Sequence, residues 1–149
     1  MLGAEEADQR IGMYHRKLPD EHRISIAVEF SGEHSSIRCL ISTIAFGLGV
    51  EVKQLPYVIH WGPSKNLLDY WQEVGRAARD IARGTAILFK PPYSIRHADA
   101  EMKELLINSS KCIRKAILNS IKVKEMQSED IDKCCGGNNC CSACSASKK

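Results

Sequence analysis

Residues 57–80, YVIHWGPSKNLLDYWQEVGRAARD, read as a strand, a tight loop and a helix, and that succession decides the fold. YVIHW at 57–61 is a short, mostly apolar run with β-branched residues, bounded by turn formers, the pattern of a strand buried on both faces. GPSKN at 62–66 supplies the break; Asn66 can cap the following helix, and Asp69 can reach back to it. From Leu67 onward, Leu67, Trp71, Val74 and Ala78 fall on one stripe of the helix, while Gln72, Arg76 and Arg79 fall on another. Guanidinium groups are planar forks that fit phosphate oxygens in bidentate fashion, and two of them one turn apart suit charge that develops during phosphoryl transfer. A solvated polar face paired with Asp69, Glu73 or Asp80 explains the same spacing.

Outward from this stretch, strands alternate with helices. LPDEHRISIAVEFSGE (18–33) reads as a helix, with Pro19 early, acidic residues in the first turn, apolar Ile24, Ala27, Val28 and Phe30, and Gly32 as a stop. IRCLIS (37–42) and TAILF (85–89) read as further buried strands, and TIAFGLGVEVKQLP (43–56) as a glycine-rich loop. This alternation predicts an α/β fold, a partial parallel sheet with flanking helices, over residues 1–92. Beyond Pro91 and Pro92 the pattern turns helical through HADAEMKELLINSSKCIRKAILNSIK, until Gly136, Gly137, Asn138 and Asn139 break it, so 93–149 reads as a helical, cysteine-bearing subdomain.

Bulk properties bound the function. A chain of 149 residues, 44% hydrophobic and 26% charged, suffices for one domain with a short appendage and excludes a large multidomain enzyme. A net charge of +3 permits a nucleic-acid partner without demanding one. The start MLGAEEADQR is acidic where a secretion signal is basic and then apolar, and no apolar run approaches a membrane span. The expectation is a protein that is neither secreted nor membrane-bound. Six of the seven cysteines lie from residue 112 onward, and in a reducing compartment such clustering points to metal rather than to disulfides. Cys39, His60 and Trp61 read as packing residues.

The stretch STIAFGLGVEVKQLPYVIHWGPSKNLLDYWQEVGRAARD (42–80) resembles motifs V and VI of the second RecA-like domain of the RecQ family of DNA helicases. MYH (13–15) resembles the end of the stretch before that family's motif IV helix, KCIRKAIL (111–118) its helix beginning Cys-Arg-Arg, and CCSAC (140–144) the cysteine cluster of its zinc-binding subdomain. The resemblance runs over roughly residues 13–144. It implies a 3′-to-5′ DNA-unwinding enzyme of repair and recombination, active in the nucleus (in the cytoplasm for an orphaned piece), with DNA and ATP as partners. Arg79 then corresponds to the arginine finger, Arg76 to a second phosphate contact and Gln72 to a member of the same network, with Gly47, Gly49 and Glu51 on the nucleotide side and Ser42 and Thr43 toward DNA. Zinc is implied as well, held by Cys112, Cys141 and Cys144 with a fourth thiolate, Cys140 in first place and Cys135 or Cys134 as alternatives. A redox-labile tail is the competing reading of these cysteines.

Three positions depart from the family pattern. Ala78 and Ile81 stand where glycine is usual, and Glu51 where aspartate is common. The sequence also holds no G-x-x-x-x-G-K-[ST] loop and no Asp-Glu pair of the Walker B kind, so ATP and magnesium enter only if a first helicase lobe supplies those groups. The reading is therefore a helicase fragment, with a catalytically inactive zinc-bearing module for nucleic acid or for another lobe as the alternative.

Overall fold

The computed structural model describes residues 10–43, 52, 55–77, 79, 83–108, 112–122, 131 and 140–146; Gly47, Gly49, Glu51, Cys134 and Cys135 lie outside them. The chain divides into two compact units, one comprising Met1–Leu55 with Ala78–Ala82, the other Pro56–Ala77 with Arg83–Lys149.

In the first unit, β1 (Ile11–Tyr14), α1 (Asp20–Ser31) and β2 (Cys39–Ser42) form a β-α-β element, its two strands parallel from Ile11 opposite Cys39 to Tyr14 opposite Ser42. Pro19 stands just ahead of α1, where its missing N–H costs nothing, and Asp20 and Glu21 complement the positive end of the helix dipole. Past Gly32, the Glu29 carboxylate accepts from the amide and hydroxyl of Ser36 at 2.9 and 3.0 Å, and that closes the turn into β2. Tyr14 and Val52 are buried against Ile26, Ala27, Phe30 and Leu40. Ile24 and Val28, read from the sequence as part of the apolar face, are instead 64% and 68% exposed, and Ile26 takes the inward place. The strand β1 has no counterpart in the sequence reading. It is four residues long and contains Gly12, a poor strand former, at which a Cβ would lie 2.9 Å from Leu40 Cδ1 and make that side chain shift.

In the second unit, β3 (Tyr57–Trp61) pairs in parallel with β4 (Thr85–Phe89), and both spans are those read from the sequence. Between them α2 runs Leu67–Val74, opened by Asn66, whose side-chain carbonyl accepts from the Asp69 amide at 2.8 Å while its amide donates to the Asp69 carboxylate at 2.9 Å. A cap of this kind contributes ~1 kcal/mol. A 3₁₀ turn at Pro92–His97 leads to α3 (Ala100–Ile107), α4 (Ile113–Ser120) and the short α5 (Ser142–Ala146). Leu67 and Tyr70 of α2 are buried with Met102, Leu105 and Leu106 of α3 and Ile117 of α4. Met102 is wholly buried, and a side chain of its size contributes roughly 1.5–3 kcal/mol.

Four expectations are corrected here. The strands are not buried on both faces: β3 alternates, with Tyr57, Ile59 and Trp61 exposed and Val58 and His60 half-buried, because among the described residues helices pack on one side only. Trp61 is accordingly 74% exposed and meets Phe89 across the pair with ring centroids 5.6 Å apart. Cys39 is also exposed, on β2. Finally, α2 stops at Val74, since residues 75–77 form a turn in which the Arg76 and Ala77 amides bond three residues back, to Glu73 and Val74 at 3.3 and 3.0 Å. Gly62 ahead of α2 has φ +103°, a conformation open to glycine, and a Cβ there would lie 3.2 Å from Ser94.

Candidate functional site

The C-terminal end of α2 carries three of the residues singled out above or beside them, with different fates. Gln72 is exposed and Glu73 is turned inward. Arg76, half-buried, sits in the closing turn. Glu73 Oε2 lies 2.8 Å from His60 Nε2 of β3 and also accepts from the Ser64 hydroxyl in the β3–α2 loop. An ionised carboxylate only accepts, so Nε2 donates; the His60 ring also stands against Tyr70 with centroids 5.1 Å apart. The three side chains do not make a nucleophilic relay, because serine and histidine both address the carboxylate and not each other. They form a lock between strand and helix. The sequence reading had Glu73 only as a pairing partner for arginine and did not mention Ser64, since a contact over nine or thirteen residues leaves no local periodic trace.

Burial pushes the Glu73 carboxyl up, but the hydrogen bonds from His60 and Ser64, with the electrostatic pull of His60 and Arg76, outweigh it and hold the group below its ordinary value of 4.5. A carboxyl depressed on folding adds stability that is fully present above its unfolded value and is lost as pH falls through the folded one. The chain should therefore lose thermal stability as pH drops below about 4.5, and Glu73→Gln should flatten that part of the curve. Circular-dichroism melts of the two proteins across the acid range check this; identical slopes would mean the lock makes no contribution.

Arg79 is exposed and belongs to the first unit, whereas Gln72 and Arg76 belong to the second. Ser42 ends β2 and Thr43 follows it, both exposed, with the Thr43 amide donating to the Tyr14 carbonyl at 3.1 Å. Gly47, Gly49 and Glu51 lie outside the described residues. A cleft of about 560 Å³ between α3 and α4, lined by Leu67, Glu101, Glu104 and Lys115 among others, includes neither Gln72 nor Arg76.

The cysteines do gather. Cys112, Cys140, Cys141 and Cys144 bring four sulfur atoms within 4.8 Å of one another, all half-buried. Cys112 is not inside a helix but at the N-cap of α4, where its sulfur accepts from the Lys115 amide at 3.4 Å. Cys140 Sγ lies 3.5 Å and Cys141 Sγ 3.9 Å from Cys112 Sγ. Four sulfurs bound to one zinc at ~2.3 Å stand about 3.8 Å apart along the tetrahedral edges, so the cluster has the size and donor chemistry of a closed thiolate site and could hold a metal. The Cys144 thiol is pushed up, first by its hydrogen bond with Cys112.

Residues 1–80 match the family described as the helicase conserved C-terminal domain. Over 153 residues the chain is 29% identical to ATP-dependent DNA helicase Q1 of Rattus norvegicus, covering 94% of this chain and 24% of that protein. It is 28% identical over 154 residues to the bifunctional 3′-5′ exonuclease/ATP-dependent helicase WRN of Mus musculus, covering 91% and 10%. Bacillus subtilis RecS, bearing an ATP-dependent DNA helicase name, is 31% identical over 124 residues, covering 83% and 24%. The chain spans a quarter or less of the length of each of these relatives. No helix among the described residues is long and apolar enough to cross a membrane.

Proposed function

The chain belongs to the helicase conserved C-terminal domain family and resembles its RecQ-type DNA helicases, and from that premise we propose that it is the ATP-closing half of a 3′-to-5′ DNA-unwinding motor with a structural zinc site. The observation that carries this reading is the four-thiol cluster, which joins Cys112 to cysteines 28 or more residues further along the chain that also carries the helicase match. Cys112, Cys140, Cys141 and Cys144 would hold zinc and tie the tail to α4.

In this reading Arg79 is the finger that meets charge developing on the transferred phosphoryl group, Arg76 a second phosphate contact, and Gln72 a polar partner in the same network. Ser42 and Thr43 approach the DNA backbone, and Gly47, Gly49 and Glu51 the nucleotide side. Magnesium and the triphosphate are bound by another lobe that carries the P-loop and the Asp-Glu pair. The motor serves repair and recombination, in the nucleus.

The purified 149-residue chain should show no ATP hydrolysis above background, with or without DNA, and should turn over ATP in a DNA-dependent way once joined to a lobe bearing those motifs. Turnover by the chain alone would overturn the half-site reading. A folded, zinc-bearing fusion that binds DNA yet never hydrolyses ATP would favour the inactive zinc module.

A further inference from the structure

The lock beneath α2 has a consequence for the arginine beyond it. Helix α2 is only eight residues long, and a helix of that length is marginal in water without tertiary anchors. Its N-terminal end is held by the Asn66 cap and by buried Leu67 and Tyr70. Its C-terminal end, where half-buried Trp71 and Val74 pack against the same core, runs into Gly75, which has no side chain to carry a further anchor. Glu73 fills that need: its carboxylate is gripped from β3 by His60, at 2.8 Å, and from the loop by Ser64, 8% exposed, while its carbonyl accepts from the Arg76 amide at 3.3 Å. His60 in turn stands opposite Leu88 in the paired strands, so the grip originates in the sheet. Hydrogen bonds to an ionised carboxylate are shorter and stronger than neutral ones, which suits a group that must resist rotation.

We propose that Glu73 is a positioning residue: clamped by His60 and Ser64, it sets the direction in which the turn after α2 presents Arg76. The inference rests on the phosphate-binding role proposed for Arg76 and adds what holds it in place. His60 Nδ1 is buried with no hydrogen-bond partner among the described residues, so the ring is committed to Glu73 through Nε2 alone. Losing the carboxylate would leave the imidazole without its described hydrogen-bond acceptor. The order of action is strand, then Glu73, then Arg76, with no contact between Glu73 and substrate required.

The test uses the 149-residue chain without nucleotide. The side-chain Nε–H resonance of Arg76 and its exchange with water are measured by nitrogen-15 NMR in the native chain and in Glu73→Gln and Ser64→Ala. Glu73→Gln should accelerate Arg76 Nε–H exchange about tenfold, the scale of weakening one hydrogen bond to the Glu73 carboxylate, because the turn that carries Arg76 then opens to water more often, while the backbone amides of β3 and β4 keep their positions. Ser64→Ala, which keeps the carboxylate and removes one of its two donors, should give a smaller acceleration in the same direction. If Glu73→Gln fails to fold, Ser64→Ala carries the test by itself. An Arg76 resonance unmoved in every folded variant overturns the proposal. Since no step involves ATP, a failure here leaves the helicase reading untouched, and a failed ATPase experiment leaves this one standing.

Discussion

Arg79→Ala is expected to lower ATP turnover by roughly a thousandfold or more, in a fusion that supplies the P-loop lobe, while leaving nucleotide affinity nearly unchanged. The physical ground is that charge builds on the transferred phosphoryl group only as the transition state is approached, so a guanidinium aimed at that charge acts on kcat and little on ground-state binding. Arg79→Lys should recover only a fraction of the loss, because a lysine ammonium is a point charge and cannot make the planar two-pronged contact. Arg76→Ala should behave differently: a contact to phosphate present in both ground and transition states weakens binding and kcat/KM together. Turnover and nucleotide dissociation constants measured separately decide the matter. Equal losses in both for Arg79→Ala would reduce it to a binding residue.

The second large effect concerns Cys112. The native chain should carry about one zinc, and Cys112→Ser should remove it, because the Cys112 sulfur sits 3.5 and 3.9 Å from two of the other three thiols. Structural zinc contributes on the order of 10–16 kcal/mol of apparent binding free energy in small zinc-dependent peptides, a scale at which metal binding and folding are one process. The variant should therefore lose the fold-back of Cys140–Cys144 onto α4 as well as the metal. Cys39→Ser should keep the zinc, since Cys39 lies on the exposed surface of β2 in the other unit. Of the remaining candidates, Cys140→Ser should lose metal as Cys112→Ser does, and Cys134→Ser and Cys135→Ser should retain it. Elemental analysis of protein purified under reducing, chelator-free conditions checks all five. Absence of zinc from the native chain would remove the metal centre from the proposal.

Much of the second unit was legible before any coordinates. Asn66 announces the start of α2 through a polar side chain within reach of an amide three residues on, and YVIHW and TAILF stand out as β-branched runs between breakers. Each of these signals involves atoms within a few residues of one another. The misses share the opposite property. β1 is short and interrupted by Gly12, and it is a strand because β2 lies beside it, with Leu40 pressed where a Cβ would be. Trp61 and Cys39 look like core residues by type, but burial is a property of what packs on a face, and among the described residues nothing covers theirs. The end of α2 at Val74 was equally unreadable, since the arginine stripe continues past it at helical spacing while the backbone has already tightened into a turn.

By itself the amino-acid sequence determined the order of strands and helices from α1 to β4, the cap that opens α2 and the pair Cys141 and Cys144, because local hydrogen bonds and side-chain spacing are written in neighbouring residues. It put Cys140 ahead of Cys135 and Cys134 only through the family resemblance, because the three are alike in type and close in sequence. Tertiary structure set Cys140 beside Cys112 by closing a loop of 28 residues, a step whose outcome depends on how the tail folds back and not on any local preference. The same holds for Glu73, a polar helix residue like Gln72 until β3 brings His60 against it, and only then a buried carboxylate tied to the strand.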